Sequence, residues 1–272
     1  MKHYVSLLFI SAILMLVASV AKGQQSLYIP SGPNYVRVGD LDVTGNQITV
    51  EAIITKTGNG VNIVSKHTGP ANVNYLMRPG SAEITTTNGY INAVTGFNLV
   101  QGQCYHLAFT YNGSSLDYYV NGCLASSTPH TGNLVTNNLA TAIGDQSNCQ
   151  CETWLGYIDE VRIWNVARTQ AEIQANMMDL PNPTTQLGLL AYYKFEGNYT
   201  NLQGNAAWNG TPVGAPQLIN NAACDNVDLS FQNSVTVTDV SCFGGSDGVV
   251  TVTSTGGHPN YTYSADGVNY LP

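Results

Sequence analysis

Charge is scarce in this 272-residue chain: Asp, Glu, Lys and Arg make up only 10% of it. Lys and Arg number 9 against 17 Asp and Glu, and the net charge is −8. No basic cluster exists to neutralise a run of phosphates, which argues against a nucleic-acid partner. Long apolar runs are missing too, save one at the N-terminus, so no later segment is fit to span a bilayer. Motifs that carry chemistry are also lacking. There is no G-x-S-x-G elbow, no phosphate loop, no C-x-x-C and no H-E-x-x-H. Past the N-terminal run the histidines are His67, His106, His130 and His258. His106 falls within a strand pattern, opposite in phase to Tyr105 and Leu107, and reads as a packed or edge histidine rather than a base.

What is present points outside the cell. Lys2 and His3 give a basic start, Val5 to Val20 an apolar run, and Ser19-Val20-Ala21 or Ala21-Lys22-Gly23 a small-residue cleavage site. Residues 1–23 are therefore expected to be a secretory signal. The rival is an uncleaved anchor, but the run is shorter than the ~20 residues of a spanning helix. Six cysteines (Cys104, Cys123, Cys149, Cys151, Cys224 and Cys242) in an exported chain favour disulfides. Cys104 and Cys123 lie symmetrically about the turn Asn112-Gly113-Ser114-Ser115. A four-residue loop would set them face to face; a two-residue Asn-Gly turn would shift that register. Cys149 and Cys151 are close together, and one of them is expected to pair outside its loop. Zinc is the alternative there, without a partner pair at ligand spacing to support it.

The densest strand pattern is Trp154 to Asn165, rich in β-branched and aromatic residues. Apolar residues fall at both parities, so both faces are expected to be covered. A helix follows, with Thr169 as N-cap, Glu172 completing a capping box, Ile173 and Met177 forming the buried stripe, and Pro181 and Pro183 as stops. Upstream, Ser26 to Val38 reads as two short edge strands broken by Pro30 and Gly32-Pro33. Ile48 to Ile54, Val61 to Ser65, Tyr75 to Arg78 and Glu83 to Thr87 read as further strands. Cys104 to Tyr111 and Leu116 to Asn121 form a hairpin, with Tyr105, Leu107, Phe109 and Tyr111 on one face. Ala140 to Gly144 and Leu189 to Glu196 are the remaining strands of this part. Ala215 to Asp228 has the composition of a linker.

The run G-Y-I-D-E-V-R-I-W-N-V-A-R-T-Q-A-E-I from Gly156 to Ile173 resembles the closing strand and helix of the laminin-G-like jelly roll, a concanavalin A-like and pentraxin-like sandwich. The hairpin C-Y-H-L-A-F-T-Y with L-D-Y-Y-V-N-G, and L-L-A-Y-Y-K-F-E, are similar to elements of the same family. The resemblance implies an all-β, two-sheet antiparallel jelly-roll sandwich with one short helix over 24–225, its last strand returning beside the first. From Val235 the chain resembles the SprB repeat, an immunoglobulin-like module of surface adhesins of gliding Bacteroidota, through C-F-G-G-S-D-G and G-G-H-P-N-Y-T-Y. Residues 226–272 are too few to close such a module of ~100 residues, so the chain is expected to be a piece of a longer protein.

The jelly roll has a glucanase variant, so paired carboxylates matter. Retaining glycosidases need two carboxyl groups about 5 Å apart, which on a strand means i and i+2 or i+4. Asp159 and Glu160 are neighbours and are expected to face opposite ways, which leaves no catalytic residues. Calcium is the one cofactor the resemblance implies, through Asp145, Gln146 and Glu152 on a loop. Tyr75, Tyr90 and Trp154 are the candidate rings for stacking a sugar. The expected function is a secreted or cell-surface binding and adhesion module for carbohydrate or a surface protein. The alternatives are a structural spacer, or an accessory domain of a polysaccharide-degrading enzyme.

Overall fold

The computed structural model describes residues 24–224, 229, 232–238 and 249–256. The expected secretory segment 1–23, and with it Cys242 and His258, lie outside the described residues. So does the greater part of the expected C-terminal repeat.

Strands β1 (Gln25–Ile29) and β2 (Tyr35–Arg37) flank the Pro30 to Pro33 corner, and β3 (Ile48–Lys56) follows. Next come β4 (Val64–His67), β5 (Val73–Arg78), β6 (Ser81–Thr86) and β7 (Gly89–Val94). A meander follows of β8 (Cys104–Tyr111), β9 (Ser115–Val120) and β10 (Cys123–Pro129). The short β11 (Ala142–Ile143) and the long β12 (Gly156–Trp164) lead into helix α1 (Gln170–Asn176) and then β13 (Leu189–Tyr193). Finally come β14 (Thr211–Val213), β15 (Gln217–Asn220) and a separate hairpin of β16 (Gln232–Thr238) and β17 (Val249–Thr255).

Two antiparallel sheets make a sandwich. The first runs β10-β9-β8-β3-β12-β1-β15, with β13 also on β12; the second runs β14-β2-β11-β4-β5-β6-β7. Alternation decides which residues meet between them. Ile48, Val50, Ala52 and Ile54 of β3 and Tyr105, Leu107, Phe109 and Tyr111 of β8 enter one core with Tyr75, Met77 and Ile84 of the second sheet.

The outer face of the first sheet is covered as well. Ile53, Cys104 and Ala108 pack there under Ile173 of α1 and Met177 just after it, joined by Leu229. The helix is held at its start by the capping box: Glu172 N–H donates to Thr169 Oγ1, and Thr169 N–H donates to the Glu172 carboxylate at 2.8 Å. Such a cap contributes about 1 kcal/mol. The helix ends at Asn176, ahead of Pro181.

Three expectations change. β1 and β2 are interior strands, lying between β12 and β15 and between β11 and β14. β13 returns beside β12, and the strand beside β1 is β15. β15 lies inside the stretch with linker composition; Leu218 packs onto the core, and the stretch extends along β1 from Gln217 to Asn220.

The cysteines also pair differently. Cys104 is bonded to Cys224, not Cys123, and Cys149 is bonded to Cys151; Cys123 is free. The β8–β9 loop does hold four residues, since Tyr111 opposes Leu116. That ladder would carry Cys104 to Cys123, but β9 ends at Val120. Asn121 and Gly122, at φ 48° and 71°, turn the chain into β10, where Cys123 opposes Val120 instead. Between Cys149 and Cys151, Gln150 takes φ 53°, and the Cα atoms lie 5.2 Å apart.

Candidate functional site

The carboxylate question is answered by a bulge. Asp159 opposes Ile53 and Arg162 opposes Glu51, so two residues of β12 stand against Ala52 alone. Glu160, at φ 51°, absorbs the extra residue. Alternation slips by one, and Asp159 and Glu160 both leave the core for the outer face of the first sheet. The expectation of opposite faces is corrected. Even so, neither carboxylate opens on a cleft, because both are buried. Asp159 accepts from Ser26 Oγ at 3.2 Å and from Glu160 N–H at 2.8 Å. Burial, reinforced by the charge of Glu160, pushes its carboxyl well above the usual range. Glu160 is ion-paired with the buried Arg162 and accepts from Tyr192 Oη at 2.5 Å.

Arg162 also lies 3.6 Å from Glu51, whose two oxygens accept from Trp164 Nε1 at 2.8 Å and from His106 Nε2 at 3.2 Å. Burial alone would raise the Glu51 carboxyl, but the His106 hydrogen bond and the charges of Arg162, His106 and Arg168 outweigh it and hold it low. His106 is thus a packed histidine inside a buried ionic layer.

The residues expected to hold calcium are engaged by the protein itself. Asp145 Oδ1 accepts from the N–H groups of Gln146 and Glu152 at 2.7 and 2.9 Å, and Oδ2 accepts from Thr153 Oγ1 at 2.6 Å. Gln146 Nε2 donates to the His67 carbonyl at 3.1 Å. The Glu152 carboxylate takes Asn62 Nδ2 at 2.8 Å, Arg78 at 3.1 Å and His67 Nε2 at 3.1 Å. Asp145 pins its own loop, and Glu152 serves an arginine. The three do not present a set of free oxygens. Among the described residues no group of three or more His, Cys, Asp or Glu is placed to hold a metal.

Of the three candidate rings, two are core residues. Tyr75 is 0% exposed, its hydroxyl donating to the Leu41 carbonyl and meeting Thr141 Oγ1. Trp154 is 0% exposed as well and packs against Gly60. Both owe this to a parity or a corner that brings them between the sheets. Tyr90 differs, being 38% exposed on β7.

β7 is the outermost strand of the second sheet, and its phase is set by the β6–β7 hairpin. Ile91 and Ala93 pack with the core, while Tyr90, Asn92 and Val94 face outward. Glu83 opposes Asn92 on one side and Leu76 on the other. Tyr90 Oη donates to Glu83 at 2.9 Å, which ties the ring down and leaves it part exposed. Arg78 lies 3.1 Å from Glu83 and 3.1 Å from Glu152, while its Nε donates to Asn62 Oδ1 at 2.9 Å. His67 closes the chain: Nδ1 accepts from Gly69 N–H, which leaves Nε2–H to donate to Glu152. Burial holds its imidazole below its ordinary pKa, that is, neutral. One network, Tyr90–Glu83–Arg78–Glu152–His67, therefore spans the outer face of the second sheet. The Asn92 side-chain oxygen at its edge has no hydrogen-bond partner.

Arg78 and Glu83 lie on strands that the sequence did show and were not singled out there; Asn92 escaped because β7 did. Its signal was Asn88-Gly89, a turn pair before the alternation of Gly89 to Val94. Two clefts lie elsewhere. One is bordered by Arg37, Asp40, Asn138, Asn209 and Thr211, and the other by Val166, Arg168, Glu172, Asn176 and Leu187. No aromatic residue lines the first. In the second, Arg168 covers Trp164 at 4.2 Å and leaves the indole 1% exposed.

A two-sheet sandwich of this topology, with a polar outer face and loops at its rims, is a concanavalin A-like jelly roll. The chain belongs to the concanavalin A-like lectin/glucanases superfamily, whose profile matches residues 30–174, and a SprB repeat matches residues 234–269. Among solved structures it is similar to a Bacteroides ovatus protein assigned to carbohydrate binding: 22% identity, TM-score 0.59, over 73% of this chain and 60% of that one. It is also similar to the heptameric SAP-like pentraxin of Limulus polyphemus: 12% identity, TM-score 0.49, over 74% and 97% of the two chains. The first of these likenesses is one of fold. No curated protein sequence matches.

Proposed function

We propose that this chain is a non-catalytic carbohydrate-binding and adhesion module that works outside the cell. It takes a neutral glycan across the outer face of the second sheet. The observation that carries this is Tyr90, a ring anchored through its hydroxyl and still 38% exposed, beside a continuous polar network. Sugars stack their apolar faces on such rings, while arginine, carboxylate and amide groups fix their hydroxyls. Arg78 and Glu152 keep 28% of their side-chain surface, enough to reach a ligand. One guanidinium between two carboxylates leaves the face acidic, as is the whole chain at −8. That disfavours polyuronates and sulfated chains.

The superfamily membership and the Bacteroides ovatus neighbour support a binding role of this kind. The SprB repeat and two disulfides support a surface or secreted address. Among the described residues no helix is long and apolar enough to cross a membrane.

The test is a glycan array followed by titration of the strongest neutral hit. Tyr90→Ala should weaken binding at least about tenfold, a change of about 1.4 kcal/mol. A chain that binds no glycan on the array would instead serve as a structural spacer.

A further inference from the structure

The ammonium of Lys66 lies on the inner side of β4 and is 0% exposed. Four oxygens from two separate loops surround it. Asp40 Oδ1 is in ion-pair contact, and Asp42 Oδ1 is 3.2 Å away. The carbonyls of Asn137 and Leu139 accept from it at 2.9 and 2.5 Å. The same loops are laced further. Asn137 Nδ2 donates to the Lys66 carbonyl at 3.3 Å, and Asn137 N–H donates to Asp42 Oδ1 at 3.4 Å. Just behind, Tyr75 Oη donates to the carbonyl of Leu41, between the two aspartates.

Two carboxylates and two backbone carbonyls, gathered from loops, are the donor set of a hard divalent cation. Lysine is seldom fully buried, and here it is fully paired. Where the resemblance implied calcium, the carboxylates of Asp145 and Glu152 are already taken by donors of the protein. A cation-shaped cage exists elsewhere, and the chain's own ammonium is in it.

We propose that Lys66 is a built-in cation, joining the 39–43 and 137–141 loops in the way a bound calcium would, so that this sandwich is organised without metal. The cage holds two negative charges against one positive. Removing the ammonium leaves four oxygens with no counter-charge, and that vacancy selects a divalent ion. This reading does not depend on which ligand the Tyr90 face takes.

The test compares melting temperatures in EDTA and in millimolar calcium, with terbium luminescence as a direct probe of the cage. The wild type should melt at the same temperature in both and show no sensitised terbium emission. Lys66→Met should melt about 4 °C or more lower in EDTA, recover in calcium and bind terbium. A folded K66M that ignores both ions overturns the proposal, and so does a wild type stabilised by calcium. If K66M does not fold in either buffer, Asp42→Asn decides, because it keeps the ammonium. Its melting temperature falls equally in both buffers if Lys66 alone fills the cage. A deficit larger in calcium than in EDTA means that a metal shares it, against the proposal.

Discussion

Asp159 and Glu160 are adjacent in the chain, yet the left-handed backbone of Glu160 turns both carboxylates to the same face of the first sheet. Both end up in a layer sealed by α1 and the first strand. The pair therefore shapes stability rather than meeting a substrate.

Asp159 should reveal itself in the pH dependence of stability. Its carboxyl is raised above 3.8 by burial and by the Glu160 charge. A raised carboxyl favours the fold fully below its unfolded value, and that contribution is lost progressively as pH climbs from there through the folded value. Asp159→Asn removes the titration. The melting temperature of the variant relative to wild type should rise from about pH 4 to about pH 8. A constant difference across that range would count against the assignment.

Arg162 holds Glu51 and Glu160 together beneath the helix, and its NH1 also donates to the Asn176 carbonyl at 2.7 Å. Removing one member of a buried pair strands the others. Arg162→Ala should cost about 3–5 kcal/mol in urea unfolding. Adding Glu160→Gln should recover part of that loss, because one stranded charge is gone. Additive losses would show that the two groups are not coupled.

The disulfide map is open to a direct check. Non-reducing peptide mapping should join Cys104 to Cys224 and leave Cys123 alkylatable. Cys123→Ala should leave stability within about 0.5 kcal/mol, while losing the Cys104–Cys224 link should cost about 2–5 kcal/mol. A Cys104–Cys123 peptide would contradict the pairing.

Much of the sandwich was legible because strands announce themselves by alternation. Tyr105, Leu107, Phe109 and Tyr111 all entered the core as their parity required, and Thr169 with Glu172 formed the cap that their spacing required. The site was harder to read. Tyr75 and Trp154 look like Tyr90 in the sequence; only register and corner geometry decide which ring is sealed. Alternation misled at Asp159 and Glu160, since a bulge resets parity and nothing in the residue types marks it. β15 was hidden by a polar composition that suits an edge strand as well as a linker. The Cys104 partner lay 120 residues away, beyond any local symmetry argument.

The most direct measurement is amide chemical-shift mapping of the labelled protein, titrated with the neutral glycan that gives the strongest array signal. Shifts concentrated at Arg78, Glu83, Tyr90, Asn92 and Val94 are expected. Shifts confined to the 145–153 loop or to the Arg37 and Asp40 cleft, with Tyr90 unmoved, would contradict binding at Tyr90.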